Sequence, residues 1–408
     1  MQPFFLQHFF CSDPLPLLDV TRGMSVSIRS LLAQNNGQIR LCEAHDLSSR
    51  EIIRHTVGDN GQSFHGIWIG GLCQTTHLGI PDTELISPLQ RAVLIALEDS
   101  LQQRKTRHPL CTVFDADSGG DVADIPALVA VLARVGVSMI IIEDRAVYEP
   151  GGKVSSLGDT SALQDQADMY EFANTLRTFI SAAAHKDMMI TARIESLTVR
   201  VAKKEEAEER ASIHEALSDA LKRAEVYREA GVDAIMIHSK STHPGEVLSF
   251  LTEYRSRDAV TPLVVVPTMY PTATRTILYE AGANVVIYAT QSMRAKITAV
   301  SKISDRILAE IPGFLSEDAE LSACLEAQNF GCLLRKLWER RYWGEEGKEA
   351  RLYRIVAANY AAESMKAVVK DLLDGELCGS EADERIISVK DLLEINARQT
   401  SAVEELIG

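Results

Sequence analysis

Between residues 39 and 290 the chain alternates short apolar runs with longer polar stretches of helical period. In order, the runs are IRLCEAHD, GIWIGG, LCTVFDAD, MIIIED, MMITARIES, AIMIHS, LVVVPT and VVIYAT. Most are apolar throughout rather than at alternate positions, the pattern of parallel strands buried on both faces. Stretches between them, such as PALVAVLARVGV and EALSDALKRAEVYREAGV, carry apolar residues at helical spacing and close at a glycine near the next strand. Eight strand–helix units in about 250 residues predict an α/β fold of one kind, the (β/α)8 TIM-type barrel. A doubly wound sheet is the rival, but no GxGxxG follows the first run and no GxxxxGK[ST] occurs anywhere.

Two stretches exceed what a minimal barrel needs. VRVAKKEEAEERASIHE, after the fifth run, is charged enough to be a solvated helix or a mobile loop. Residues 303–408 are helix-rich, predicting a helical C-terminal extension that serves as an appendage or an oligomer contact. The expected organisation is a helical lead-in over 1–38, a catalytic barrel over 39–302 and the extension over 303–408.

Charge narrows the classes of partner. Against 57 Asp+Glu stand 42 Lys+Arg among 408 residues, a formal net charge of -15. So acidic a chain lacks the basic surface that displaces counterions from nucleic acid, and an anionic membrane surface would repel it. The WERRYW cluster mixes bases and aromatics but does not alter that balance. Seven scattered cysteines with no CxxC pair argue against a disulfide scaffold or a cysteine-rich zinc site, and fit a reducing cytoplasm. The opening MQPFFLQHFF is apolar but has no cationic leader, and reads as neither a signal peptide nor a membrane span.

In a barrel the site lies at the C-terminal ends of the strands, so the residues closing each run carry the chemistry. The third run closes in Asp115 and Asp117, the fourth in Glu143 and Asp144, the fifth in Arg193 and Glu195, and the sixth in His238, Ser239 and Lys240. Asp82 follows the second run in LGIPD. Acids converging on one rim repel unless a cation sits among them, and an all-oxygen donor set suits Mg2+ or Mn2+ rather than zinc. Arg193, His238 and Lys240 supply the opposite sign for a small anionic substrate. Each acidic motif alone reads equally as a solvated strand cap. In GIWIGGL, Gly70 and Gly71 allow backbone N–H groups at Gly70, Gly71 and Leu72 to approach a carboxylate, or simply relieve a turn beneath Trp68.

The ordered set EAH, GIWxxGL, LGxxD, DADxG, xEDxxxxP, KxxSL, ARxE, RAxxYxxAGxDAIxIHSK and VPTxY resembles the phosphoenolpyruvate mutase group of the isocitrate lyase superfamily, to which phosphonopyruvate hydrolase also belongs. The resemblance runs from about residue 25 to 300, and SVKDLLEI at 388–395 is similar to the family's late helix. It implies that Asp115 touches Mg2+ while Asp82, Asp117 and Glu143 hold its coordinated waters. Arg193 and His238 would bind phosphoryl and carboxylate oxygens, and Trp68, Gly70, Gly71 and Leu72 would cup the substrate carboxylate and enolate oxygen. It further implies a homo-oligomer, a dimer or a tetramer, since the family packs as tetramers that exchange a C-terminal helix.

Two departures matter. Gly70 stands where the family usually has Ser. After the fourth run, where mutases carry a mobile lid, the chain reads EDRAVYEPGGKVSSL: Arg145 replaces a Lys, Lys153 matches the lid Lys, and Ser155 replaces an Asn. Hydrolases carry a hydroxyl residue at that position, so the lid is similar to theirs; the glycine pair suits a hinge, or equally a tight turn. No Cys occurs between Cys111 and Cys324, against the C–C lyases, whose catalytic acid is a Cys in this loop. The reading that follows is a Mg2+-dependent mutase interconverting phosphoenolpyruvate and phosphonopyruvate. The alternatives are a phosphonopyruvate hydrolase, then a 2-oxo-acid or malate-type lyase, then a barrel without catalysis.

Overall fold

The computed structural model describes residues 26–80, 82–101, 110–146 and 165–308. Eight parallel strands close into a barrel: β1 (Ile39–Glu43), β2 (Gly66–Ile69), β3 (Cys111–Asp115), β4 (Val137–Glu143), β5 (Met189–Ile194), β6 (Ala234–Ile237), β7 (Leu263–Val265) and β8 (Val285–Tyr288). Each pairs with the next, and β8 returns to β1 with Ile39 opposite Val285 and Cys42 opposite Tyr288. The strands fall within the eight apolar runs except that β4 begins two residues before its run, at Val137, and the doubly wound alternative is excluded by the closure.

Side chains alternate across each strand, so the barrel has two apolar shells. Leu41, Val113, Ile141, Met189, Met236 and Ile287 fill the interior. Ile28 and Leu32, from the helix Ile28–Gln34, join that inner cluster. The same helix is tied to the N-terminal ends of the strands, where Arg29 pairs with Asp233 at 2.6 Å. Phe114, Ile140, Ile142, Ala192 and Ile237 face outward against Leu128, Phe172, Phe179, Leu221 and Phe250 of the surrounding helices. This alternation positions the site. Continuing the inward phase by one step past Val113, Ile141, Thr191 and Met236 reaches Asp115, Glu143, Arg193 and His238.

The charged stretch after β5 opens a helix, Glu206–Ala230, whose first turn carries Glu206, Glu208 and Glu209 where the helix dipole favours acids. It ends at Gly231 with φ 101°, a left-handed cap that glycine adopts without cost. The last barrel helix, Gln291–Leu308, packs back against β1. Residues 309–408, including most of the expected extension and SVKDLLEI, lie outside the described residues, as do residues 1–25. No helix among the described residues is long and apolar enough to cross a membrane.

Residues 147–164, between β4 and the helix Met169–Ala183, also lie outside the description, but their flanks are pinned together. Arg145 bridges to Gln166 in antiparallel sense. The Ala146 N–H donates to the Asp165 carbonyl at 3.0 Å, and the Ala167 N–H to the Asp144 carbonyl at 2.9 Å.

Candidate active site

At the C-terminal ends of the strands Trp68, Gly70, Gly71, Leu72, Asp82, Asp115, Arg193 and His238 line one cavity, with about 510 Å³ of free space including its open mouth. The eight belong to the expected set, and the strand period brings them together.

Arg193 is the centre of charge. Its guanidinium lies 2.5 Å from Glu195, 3.2 Å from Glu143 and 3.9 Å from Asp115. Burial opposes its charge, but Glu195, Glu143 and Asp115 outweigh that and raise its pKa above the ordinary arginine value. Arg145, wholly buried, adds a second guanidinium 2.8 Å from Glu195 and 3.7 Å from Glu143. Burial alone would raise the Glu195 carboxyl; Arg193 and Arg145 hold it well below the usual range. The Thr198 hydroxyl also donates to Glu195. Burial first, then Arg193, pushes His238 down to about 3, so its imidazole is neutral. Its Nδ1 has no hydrogen-bond partner among the described residues.

The acids divide into two groups. Asp82 and Asp115 line the cavity itself, and Asp115 Oδ2 accepts the Gly71 N–H at 3.3 Å. Asp117 has φ 48°, a left-handed conformation that Asp tolerates better than most residues. Its carboxylate is paired at 2.6 Å with Arg91, which is itself fully buried over the Phe114 ring. Oxygens of Glu84, Asp117 and Glu143 lie within 4.8 Å of one another, a grouping able to hold an ion. Glu84 is a candidate the sequence reading lacks. It sits two residues after Asp82 and is fixed by accepting from the Ser118 N–H at 2.8 Å and hydroxyl at 2.7 Å. Arg91 is likewise absent from that reading, because it sits on a helix, Pro88–Leu101, rather than at a strand end.

Six carboxylates (Asp82, Glu84, Asp115, Asp117, Glu143 and Glu195) thus face three guanidiniums (Arg91, Arg145 and Arg193) with His238 neutral. The surplus is negative, and the donors are carboxylate oxygens. That set fits a hard dication such as Mg2+.

The space around the glycine pair is tightly filled. A Cβ at Gly70 would stand 2.5 Å from the Trp68 indole nitrogen, so the ring occupies the space a side chain there would need. A Cβ at Gly71 would stand 2.6 Å from Asp117 Oδ1, so the chain passes close to the acids and its amide reaches Asp115.

Asp144, one residue past Glu143, takes the outward phase and enters the helical layer. It accepts from the Tyr227 hydroxyl at 2.7 Å, Arg223 at 3.1 Å, Gln166 at 2.9 Å and the Glu195 N–H at 2.9 Å. Burial pushes its carboxyl up to about 6 against the pull of Arg223 and Tyr227. Lys240 is half-buried and outside the cavity lining, and Ser239 turns away to Glu246 at 2.5 Å. Lys153 and Ser155 lie outside the described residues.

Fold and site together define the class: a (β/α)8-barrel enzyme with a cation-ready acidic cavity beside a buried arginine. A sequence profile described as phosphoenolpyruvate phosphomutase matches residues 28–308. The chain belongs to that family, part of the isocitrate lyase superfamily. It is similar to the phosphoenolpyruvate phosphomutase of Tetrahymena pyriformis, 31% identical over 268 residues, covering 65% of this chain and 78% of that one. The crystal structure of phosphoenolpyruvate phosphomutase from Streptomyces platensis subsp. rosaceus matches with a TM-score of 0.59 at 26% identity, over 80% of this chain and 97% of that chain. A phosphonopyruvate hydrolase solved with oxalate and Mg2+ matches with a TM-score of 0.55 at 25% identity, over 77% and 98%.

Proposed function

We propose that the chain is a Mg2+-dependent phosphoenolpyruvate mutase that interconverts phosphoenolpyruvate and phosphonopyruvate. The observation that carries this reading is the 3.9 Å separation of Arg193 from Asp115 on one cavity wall. A carboxylate suited to the metal and a fixed cation adjoin there, so a single dianionic substrate spans both. In this reading Asp115 holds Mg2+, with Asp82, Asp117 and Glu143 on its waters and Glu84 reinforcing the acidic field. Bound there, Mg2+ would supply positive charge to the enolate oxygen and to the phosphoryl group in flight.

The chain's own residues do the rest. Arg193, held by Glu195 and Glu143, presents a guanidinium whose position costs no reorganisation as charge develops on the phosphoryl oxygens. Neutral His238 offers a hydrogen bond without adding charge. Gly70, Gly71 and Leu72, at the start of the helix Gly71–Leu78, line the cavity, and the substrate carboxylate would sit against them. In the mutase direction the P–O bond of phosphoenolpyruvate breaks and the enolate carbon captures the same phosphorus, with no water consumed.

Ser155 favours a second reading. A hydroxyl in the lid where mutases carry Asn suits a hydrolase, in which water takes the phosphoryl group and pyruvate leaves. Phosphorus NMR of the purified protein with Mg2+ and phosphonopyruvate separates the two. Phosphoenolpyruvate appears for a mutase and inorganic phosphate for a hydrolase, and an unchanged spectrum overturns both. Ser155→Asn should preserve or raise mutase turnover, and should lower phosphate release if the enzyme is a hydrolase.

A further inference from the structure

A second cluster lies where β8 closes on β1, formed by residues the proposed reaction does not use. His45 and Asp46 follow β1, His77 sits on the helix Gly71–Leu78, and Lys296 sits on the helix Gln291–Leu308. The Lys296 Nζ lies 3.3 Å from His45 Nε2, 3.0 Å from Asp46 Oδ2 and 3.1 Å from His77 Nδ1. Two imidazole nitrogens and one carboxylate oxygen therefore converge on one cation, and each lies within 4.8 Å of the others.

The donors are oriented as metal ligands are. Glu43, fully buried, receives His45 Nδ1 at 2.8 Å, which places the ring proton on Nδ1 and turns the Nε2 lone pair toward the cluster. The other Glu43 oxygen accepts the Met293 N–H at 3.1 Å, so the carboxylate is itself held. A carboxylate behind a histidine whose far nitrogen faces the ion is the usual outer support of metal-binding imidazole. Asp46 caps the helix Leu47–His55 through Oδ1, which accepts the Ser49 N–H at 2.7 Å and leaves Oδ2 to the cluster. His45 Nε2 and Asp46 Oδ2 stand 3.4 Å apart, close to the edge of a tetrahedron with ligand bonds of about 2.1 Å.

We propose that His45, Asp46 and His77 form a binding site for a transition-metal dication of the zinc class, in which the ion displaces the Lys296 ammonium. The nitrogen donors separate this site from the all-oxygen rim, because imidazole selects zinc-like ions over Mg2+. Access is built in: His77 is exposed and the Lys296 side chain is 40% exposed, so its flexible stem can withdraw into water with its proton. The ion would tie the end of β1 to the helix after β2, at the seam of the barrel. It would also sit one shell behind the substrate cavity, since Glu43 neighbours Cys73, which lines that cavity.

The test uses the full chain, stripped with a chelator and returned to excess Mg2+ so that the oxygen site is filled. Co2+ is then titrated and followed by visible absorption, in which nitrogen-ligated, low-coordinate Co2+ absorbs far more strongly than the hydrated ion. One equivalent should bind with such bands in the native chain, and Zn2+ should abolish them. H77A, a change at an exposed position, should weaken binding by at least about tenfold. K296M should tighten it by at least about tenfold, because no ammonium competes. A melting curve with Mg2+ alone shows that both variants remain folded. Bands that appear in neither the native chain nor K296M, that appear in K296M alone, or that persist unchanged in H77A overturn the proposal.

Discussion

Removing Arg193 should separate catalysis from stability in a measurable way. The guanidinium touches Glu195 at 2.5 Å and Glu143 at 3.2 Å and stands 3.9 Å from Asp115. In Arg193→Ala, Arg145 still faces Glu143 and Glu195, at 3.7 and 2.8 Å. Breaking a buried ion pair from one side costs about 3–5 kcal/mol, and Arg145 recovers part of that. Catalysis loses a charge-assisted contact to a phosphoryl oxygen, about 2–4 kcal/mol of transition-state stabilisation, or roughly 30- to 1000-fold in kcat/KM. Arg193→Lys keeps the charge but cannot fork between Glu195 and Glu143, so it should be more stable than the alanine variant while remaining impaired in kcat. The assay pairs urea unfolding with phosphorus NMR turnover, at a temperature where both variants are folded. If Arg193→Ala raises only KM and leaves kcat intact, the residue binds ground and transition states equally, and the role given to it is wrong.

His238, held at about 3 by burial and Arg193, binds its proton more weakly folded than unfolded. Its share of stability is therefore complete above about pH 6.5 and lost as pH falls toward 3, up to about 5 kcal/mol in all. His238→Gln should flatten the pH dependence of unfolding free energy between those limits, and an unchanged slope would contradict the assignment. Asp115→Ala should remove turnover and Mg2+ dependence together; turnover retained at saturating Mg2+ would contradict its role as a metal ligand. Gly70→Ser places a Cβ against the Trp68 indole and should shift Trp68 fluorescence and weaken binding of oxalate, a pyruvate enolate mimic, whereas an indifferent spectrum would show that the ring does not fill that space. Tyr227→Phe removes a 2.7 Å hydrogen bond to buried Asp144 and should cost about 1–3 kcal/mol in unfolding free energy with little change in KM.

What was legible in the sequence was whatever a period of two determines. Asp115, Glu143, Arg193 and His238 each lie one inward step beyond a buried inward-facing strand residue, so reading the end of each run finds them. Residues whose position depends on tertiary contacts were not legible. Glu84 sits in the loop after Asp82 and joins Asp117 and Glu143 with its carboxylate held by Ser118, a contact no local pattern announces. Arg91 reaches Asp117 from the middle of a helix, where arginine ordinarily signals a solvated face. The pair Glu143–Asp144 looked like two acids on one rim, yet consecutive residues of a strand must face opposite ways, and the second is consumed by Tyr227 and Arg223. His45 and Lys296 are neighbours because the barrel closes, and no local pattern brings together residues 251 apart in sequence.

The pinned flanks of residues 147–164 bear on how this barrel could change its chemistry. Because Ala146 is joined to Asp165, and Ala167 to Asp144, any segment placed between them leaves from and returns to adjacent points, held by a single antiparallel bridge. Lengthening such a segment is cheap, about 0.6 kcal/mol in closure entropy for each doubling. Its composition can therefore change without a penalty passed to β4 or to Glu143. The acids and the arginine stay with the barrel strands, and a change of length between residues 146 and 165 leaves them in place.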